Sequence, residues 1–138
     1  MNKVIKHLAL FFIMGIIYYS IEVLWRGYSH IAMFFVGGLC GVLIGNINEY
    51  FTWETPLFKQ QFIATIVILV IEFISGCILN IWLRLGIWDY SQMPFNLYGQ
   101  ICLVYAILWY FLSLVCIVID DILRWKLFGE EKPRYRLL

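Results

Sequence analysis

The sequence predicts an all-α membrane protein: a four-transmembrane-helix bundle, arranged as two repeated helical hairpins, with both termini cytoplasmic. Composition is the first support. Of 138 residues, 63% are hydrophobic and 14% are charged, with a mean hydropathy of +0.85. That leaves too little polar surface for an ordinary water-facing domain. Segmentation is the second. A helix needs about 20 largely apolar residues to cross the hydrocarbon core, and four such stretches run over residues 8–25, 31–48, 61–83 and 98–119. Residues 1–138 are therefore expected to form one integral membrane domain with a cytoplasmic tail over 120–138.

The first span follows Lys3 and Lys6, as a secretory signal would, but continues through Tyr18, Tyr19, Glu22 and Trp25 without a small-residue cleavage site. It is read as a retained anchor. The second carries Gly37, Gly41 and Gly45, a GxxxGxxxG stripe that lets helix backbones approach closely, within the chain or between chains of a homo-oligomer. The third follows the break at Pro56. The fourth has a weaker small-residue stripe of Gly99, Cys102, Ala106 and Ser113, and leads into LRWKLFGEEKPRYRLL. That tail reads as a segment along the inner leaflet, anchored by Trp125, Phe128 and Tyr135. Lys3, Lys6, Lys59, Arg124, Lys126, Lys132, Arg134 and Arg136 fall on one side of this topology and only Arg26 and Arg84 on the other. By the positive-inside rule the first side is cytoplasmic.

An internal repeat is visible at a constant offset of 62 residues: GYSHIAMFFVGGLC aligns with DYSQMPFNLYGQIC, matching Tyr28-Ser29 to Tyr90-Ser91, Gly37 to Gly99 and Cys40 to Cys102. Upstream, IEVLWRG and IEFISGC each place a glutamate in an odd-numbered helix. Units with an even number of spans insert in the same orientation, so the repeat would be parallel.

Those glutamates, Glu22 and Glu72, carry the functional expectation. A charged side chain in the middle of a membrane helix costs about 2.5–3.5 kcal/mol on insertion scales, so each should be paired, protonated or used. Glu22 and Arg26 are four residues apart and can pair. Thr65, Glu72, Gly76 and Asn80 share a broad face, with Arg84 one turn beyond. The following LGIWDYSQMPFNLYGQ concentrates Asp89, Tyr90, Ser91, Asn96 and Gln100 around Pro94 and reads as an ordered, partly buried element. With Tyr28 and Ser29, these residues form an expected polar site near the outer leaflet. Three readings stay open: buried pairs, Glu22 with Arg26 and Glu72 with Asn80 or Arg84, that only fix helix register in a structural or accessory protein; transport, with Glu72 a cation or proton site and the arginines an anion clamp; and a membrane enzyme acting on lipid or envelope substrates.

Catalytic spacing is lacking: there is no HExxH, GxSxG or His/Asp cluster, and His7 and His30 stand alone. Catalytic residues, cofactors and metals are therefore not expected. Cys40, Cys77, Cys102 and Cys116 lie in apolar spans without CxxC spacing and read as small packing residues. The net charge of +1 carries no nucleic-acid footprint. Asp120 and Asp121 are unfavourable at a helix C-terminus; either Arg124, four and three residues on, neutralises one of them, or the pair docks a cytoplasmic partner.

The stretch VIEFISGCILNIWLRLGIWDYSQMPFNLYGQICL, followed by the acidic pair and FGEEKPRY, resembles the CmpB-like, type IV ABC-transporter family of small bacterial membrane proteins labelled ABC transporter permeases. The resemblance is strongest from Glu72 to Leu103, with WDYS and PFN its most specific elements. RGYSHIAMFFVGGLCG resembles the first-half counterpart, except that the prolines of longer relatives are missing around Arg26-Gly27 and Gly37-Gly38. The resemblance implies a permease in a bacterial inner membrane, surrounded by membrane lipid. No GxxxxGK[ST] phosphate loop occurs, so an ATPase would be a separate subunit.

Overall fold

The structure is a computed structural model that describes residues 2–135; Arg136, counted above for orientation, lies outside them. Four α-helices follow one another: α1 (Lys3–Arg26), α2 (Ile31–Asn48), α3 (Leu57–Gly76) and α4 (Leu103–Phe128). A π-helical turn, Cys77–Trp82, extends α3, and a small antiparallel hairpin, β1 (Asn96–Leu97) and β2 (Ile101–Cys102), precedes α4. Three helical stretches, Lys3–Arg26, Leu57–Trp82 and Leu103–Phe128, are long and apolar enough to cross a membrane, while α2 is a shorter apolar helix.

Local chemistry explains the helix ends. The Asn2 side chain accepts the Val4 N–H at 2.7 Å to start α1. Gly27, at φ 84°, closes it with an N–H···O bond to Val23 of 2.7 Å. His30 Nδ1 accepts the Ala32 N–H at 3.0 Å, so α2 starts after only a short turn. Pro56 sits at the N-cap of α3. Helix α1 packs chiefly on α2, and α3 on α4, with α2 also reaching α3 and α4. Ile44, Leu57, Ala64 and Ile117 form the apolar core between α2, α3 and α4.

The glycine stripe of α2 is spent inside the chain. A Cβ on Gly37 would stand 2.5 Å from Tyr18 Cβ, and one on Gly41 2.5 Å from Met14 Cβ; Gly45 lies against Asp120. The stripe thus faces α1 and α4. The segments near both termini meet at one end of the bundle, where Lys6 Nζ reaches Glu130 Oε2 at 3.3 Å and the Trp53 and Tyr135 rings meet edge to face. The opposite end carries the loop over residues 83–102.

The expected helix boundaries need four corrections. Helix α1 begins at Lys3 rather than 8 because Asn2 caps it there and Lys3 and Lys6 are carried in its first turns. Helix α3 begins at Leu57 rather than 61 because Pro56 fixes the entry angle and the polar Lys59 and Gln60 are carried in the first turn. Helix α4 begins at Leu103 rather than 98: Phe95, Tyr98 and Gly99 have left-handed φ values of 56°, 54° and 71°, which a right-handed helix cannot include. It then continues to Phe128 rather than 119, so the expected tail from 120 is helical for its first two turns. Arg124 pairs with Asp120, which removes the charge penalty at those positions, and Gly129 at φ 69° ends the helix. Trp125 and Phe128 therefore belong to α4, while Tyr135 turns back to donate to Asp121 Oδ2 at 2.7 Å.

Replacing Gly41 by valine should lower the unfolding midpoint in detergent, followed by tryptophan fluorescence, by the equivalent of about 1–3 kcal/mol. The inserted atoms meet the root of Met14 rather than a yielding side-chain tip, so α1 must shift. Sedimentation should show the same oligomeric state as the unsubstituted chain.

Candidate functional site

Glu22 is buried on the α1 face turned toward the bundle. Its Oε1 accepts from Arg26 Nη2 at 2.5 Å, one turn along the helix, and from Ser29 Oγ at 3.2 Å. Arg26 also donates through Nη1 to the Ile87 carbonyl at 2.9 Å, and its guanidinium lies 4.8 Å from the centre of the Tyr28 ring. The ion pair therefore ties α1 to the loop after α3. Tyr18, one turn before Glu22, reaches the same carboxylate and packs on Trp109 with centroids 6.2 Å apart.

Glu72, buried on α3, has a different environment. Tyr90 Oη donates to its Oε1 at 3.0 Å and Trp109 Nε1 to its Oε2 at 2.7 Å. Neither donor is charged, and among the described residues Glu72 forms no salt bridge. The Tyr90 phenol, in the loop, is shifted well above its ordinary pKa by burial and then by the neighbouring Glu72 charge. It stays protonated and remains a donor. Tyr105 stacks on Tyr90 with centroids 4.7 Å apart, fixing that ring over the carboxylate.

A second network plugs the loop end of the bundle. The π-helical turn, in which Leu83 N–H bonds Ile78 O at 2.9 Å, brings Asn80 inward. Asn80 Oδ1 accepts the Ile87 N–H at 2.7 Å, and its Nδ2 donates to Gln100 Oε1 at 2.9 Å. Trp88 Nε1 donates to the Gln100 carbonyl at 3.0 Å. A Cβ at Gly76 would collide with Gln100 Oε1 and the Trp88 ring, so this plug requires glycine there. Outside it, Asp89 Oδ1 accepts the Ser91 N–H at 2.8 Å, which holds its carboxyl below the usual aspartate range, and Asn96 bridges the Met93 carbonyl and the Gly99 N–H.

The structure thus divides the expected polar site. Glu22, Arg26, Tyr28 and Ser29 come together, and Tyr90 joins Glu72. Asn80 and Gln100 pair with each other instead of with Glu72. Asp89, Ser91 and Asn96 are spent on the turn. Arg84 does not pair with Glu72: it is exposed, with a left-handed φ of 56°, and forms no ion pair among the described residues. The cause is the π-helical turn, which rotates the chain past Asn80 and ends the helix at Trp82, so the one-turn spacing no longer applies. The arginines accordingly form no joint clamp. Tyr18 and Trp109 were missed. Tyr18 was within reach of spacing arguments, being four residues before Glu22; Trp109 stands in an apolar run with nothing to mark it.

A family model described as Putative ABC-transporter type IV matches residues 9–130. The chain belongs to this family. No curated protein and no solved structure matches the chain. The matched range takes in both glutamates, the loop plug and the acidic pair of α4, so these features of the type IV ABC-transporter chain lie within the matched region.

Glu72→Gln replaces one acceptor oxygen by an NH2 group, so either Tyr90 or Trp109 loses its partner. The expected cost is about 1–3 kcal/mol, read as a lower unfolding midpoint together with a shift in tryptophan emission. Arg26→Gln, which strips Glu22 of its partly buried counter-charge, should destabilise by a similar or larger amount. Arg84→Gln should stay within about 0.5 kcal/mol of the unsubstituted chain.

Proposed function

We propose that the chain is a membrane-spanning permease component of a bacterial transport system, in which Glu72 holds a proton or small cation inside the bundle. The observation that carries this reading is the imbalance between the two buried glutamates. Glu22 has Arg26, whereas the donors to Glu72 are neutral. An intramembrane carboxylate without a counter-charge is the type of group that loads a proton or cation. A file of polar side chains along the α3–α4 contact adds support. Gln61, Thr65 and Ser113 are all buried between the level of Glu72 and that of Asp120.

In this reading all four helices span. Helix α2, at 18 residues, rises about 27 Å, close to the hydrocarbon thickness of about 30 Å. The end carrying both termini faces the cytoplasm because most lysines and arginines gather there. The two hairpins would descend from a duplication and insert in parallel. The chain acts without catalysing a reaction, the ATPase comes from a separate subunit, and several copies or a larger partner complete the pathway in the inner membrane.

One alternative has a specific observation in its favour. Both glutamates find their hydrogen bonds within the chain, as they would in an accessory protein whose buried polar groups only lock helix register.

A single experiment separates these readings: purification of the tagged chain at native expression level in mild detergent, followed by reconstitution of whatever is recovered into vesicles containing a pH-sensitive dye. The expected result is a stoichiometric ATP-hydrolysing partner, and a dye response that Glu72→Gln abolishes while retaining the partner. Recovery of the chain alone, with vesicles no more proton-permeable than protein-free ones, would overturn the proposal in favour of the accessory reading.

A further inference from the structure

A groove opens beside the α1–α2 contact, at the end of the bundle where the segments near both termini meet. Its volume is about 430 Å3, and Lys3, Val4, His7, Leu8, Phe11 and Val42 line it. That size is within the range of small-ligand sites, about 300–1,000 Å3. Val4 and Leu8 are 63% and 54% exposed, so the groove is open sideways. Helix α1 rises about 12 Å between Lys3 and Phe11. With α1 across the membrane, the groove therefore runs from the boundary into the depth of one leaflet.

Its two ends differ in chemistry. Leu8, Phe11 and Val42 make the deep end apolar, and Lys3 stands at the shallow end. Between them His7 is fixed as a wall: Nδ1 donates to the Lys3 carbonyl at 2.7 Å, and Nε2 is bonded to the Asn46 side chain at 2.8 Å, which ties α1 to α2. Lys6, one turn before Leu10, is already spent on Glu130 and the Phe128 ring. Lys3, by contrast, forms no salt bridge among the described residues, and the first turn of α1 carries no acidic residue. The helix start adds its own preference for negative charge.

An uncompensated cation above an apolar trough, at membrane depth, matches a ligand with an anionic head and a hydrocarbon tail. Basic pockets between membrane helices recognise lipid headgroups in this way. We propose that the groove seats one anionic phospholipid, its phosphate on Lys3 and part of an acyl chain along Leu8, Phe11 and Val42. A second copy of the chain fits less well. Inserted the same way, it would bring its own basic end to this level, including Lys126 and Lys132 beside Trp125, and like charge would oppose the contact. The inference rests on α1 crossing the membrane and not on the transport role of Glu72. A bound lipid would brace α1 against α2 from the open side.

The test uses the full chain in mild detergent, stripped of lipid, supplied with equal amounts of phosphatidylglycerol and phosphatidylcholine bearing the same acyl chains, and read by native mass spectrometry. The expected result is one phosphatidylglycerol per chain, preferred by about fivefold or more and not displaced by excess inorganic phosphate. Lys3→Gln, an exposed change that leaves the packing alone, should remove most of the preference. Lys126→Gln takes one charge from the same end outside the groove and should keep it. Val42→Trp, which fills the trough, should cut retention of both lipids. Equal retention of the two lipids, or equal loss of preference in Lys126→Gln and Lys3→Gln, would overturn the proposal, the latter in favour of a diffuse basic belt. Displacement by inorganic phosphate would overturn it in favour of a simple anion site, and a dimer that Val42→Trp dissociates would give the groove to a second copy. Glu72→Gln should retain the lipid as the unsubstituted chain does, so failure of the transport reading leaves this result standing.

Discussion

Hydrocarbon offers no hydrogen bonds, so every polar group at membrane depth must find its partner inside the protein. This constraint orders the whole chain. Leu8, Phe12, Phe62, Ile66 and Phe111 are exposed, while Glu22, Gln61, Glu72, Ser113 and Asp120 are buried. The usual inside-outside rule of a water-soluble domain is inverted, and the helices are held by polar contacts and close backbone approach more than by an apolar core. Gln61 Nε2 donating to the Tyr110 carbonyl at 3.0 Å and Trp109 Nε1 donating to Glu72 at 2.7 Å stitch α3 to α4. Gly37 and Gly41 let α1 and α2 touch.

The loop between α3 and α4 obeys the same constraint. A polar segment of this length can sit at the mouth of a bundle only if its backbone is satisfied; Asn80 and Trp88 bond part of it, and Asp89, Asn96 and Arg26 bond further groups. The π-helical turn makes this possible by turning Asn80 inward at the helix end. Left-handed backbone at Arg84, Phe95 and Tyr98 is the conformational cost, since non-glycine residues rarely adopt it. Such strain persists only where surrounding contacts over-determine it, and here they do.

What could be read in the sequence was what local spacing encodes. Apolar run length located every helix, the four-residue spacing of Glu22 and Arg26 gave their pair, and the same logic gave Asp120 and Arg124. The bounds of α2 were legible because a tight glycine turn and the His30 cap leave no slack. The partners of Glu72 were not, because Tyr90 and Trp109 stand 18 and 37 residues away, and no periodicity reports which aromatic of an apolar run will turn its N–H inward. The expected pairing with Arg84 failed for a related reason: extrapolating helical spacing through residues 77–82 assumes an α-helix where the chain forms a π-helix.

The two halves start from the same Ile-Glu element and end with different electrostatics, and that difference bears on function. Were both glutamates mere register pins, each would be served best by a neighbouring arginine, as Glu22 is, because removing the counter-charge from a buried carboxylate is strongly destabilising. The second half instead surrounds Glu72 with Tyr90, Tyr105 and Trp109, donors and rings that stabilise a carboxylate without neutralising it. Below it, Thr65 and Ser113 direct their hydroxyls to the carbonyls of Gln61 and Tyr110 rather than into apolar contacts. Apolar residues of equal volume would pack this seam at lower cost in desolvation. In the proposed transport reading, the charge-capable Glu72 and the polar file beneath it are what would hold something charged for a time and then release it, and both lie on α3 and α4 rather than on α1 and α2.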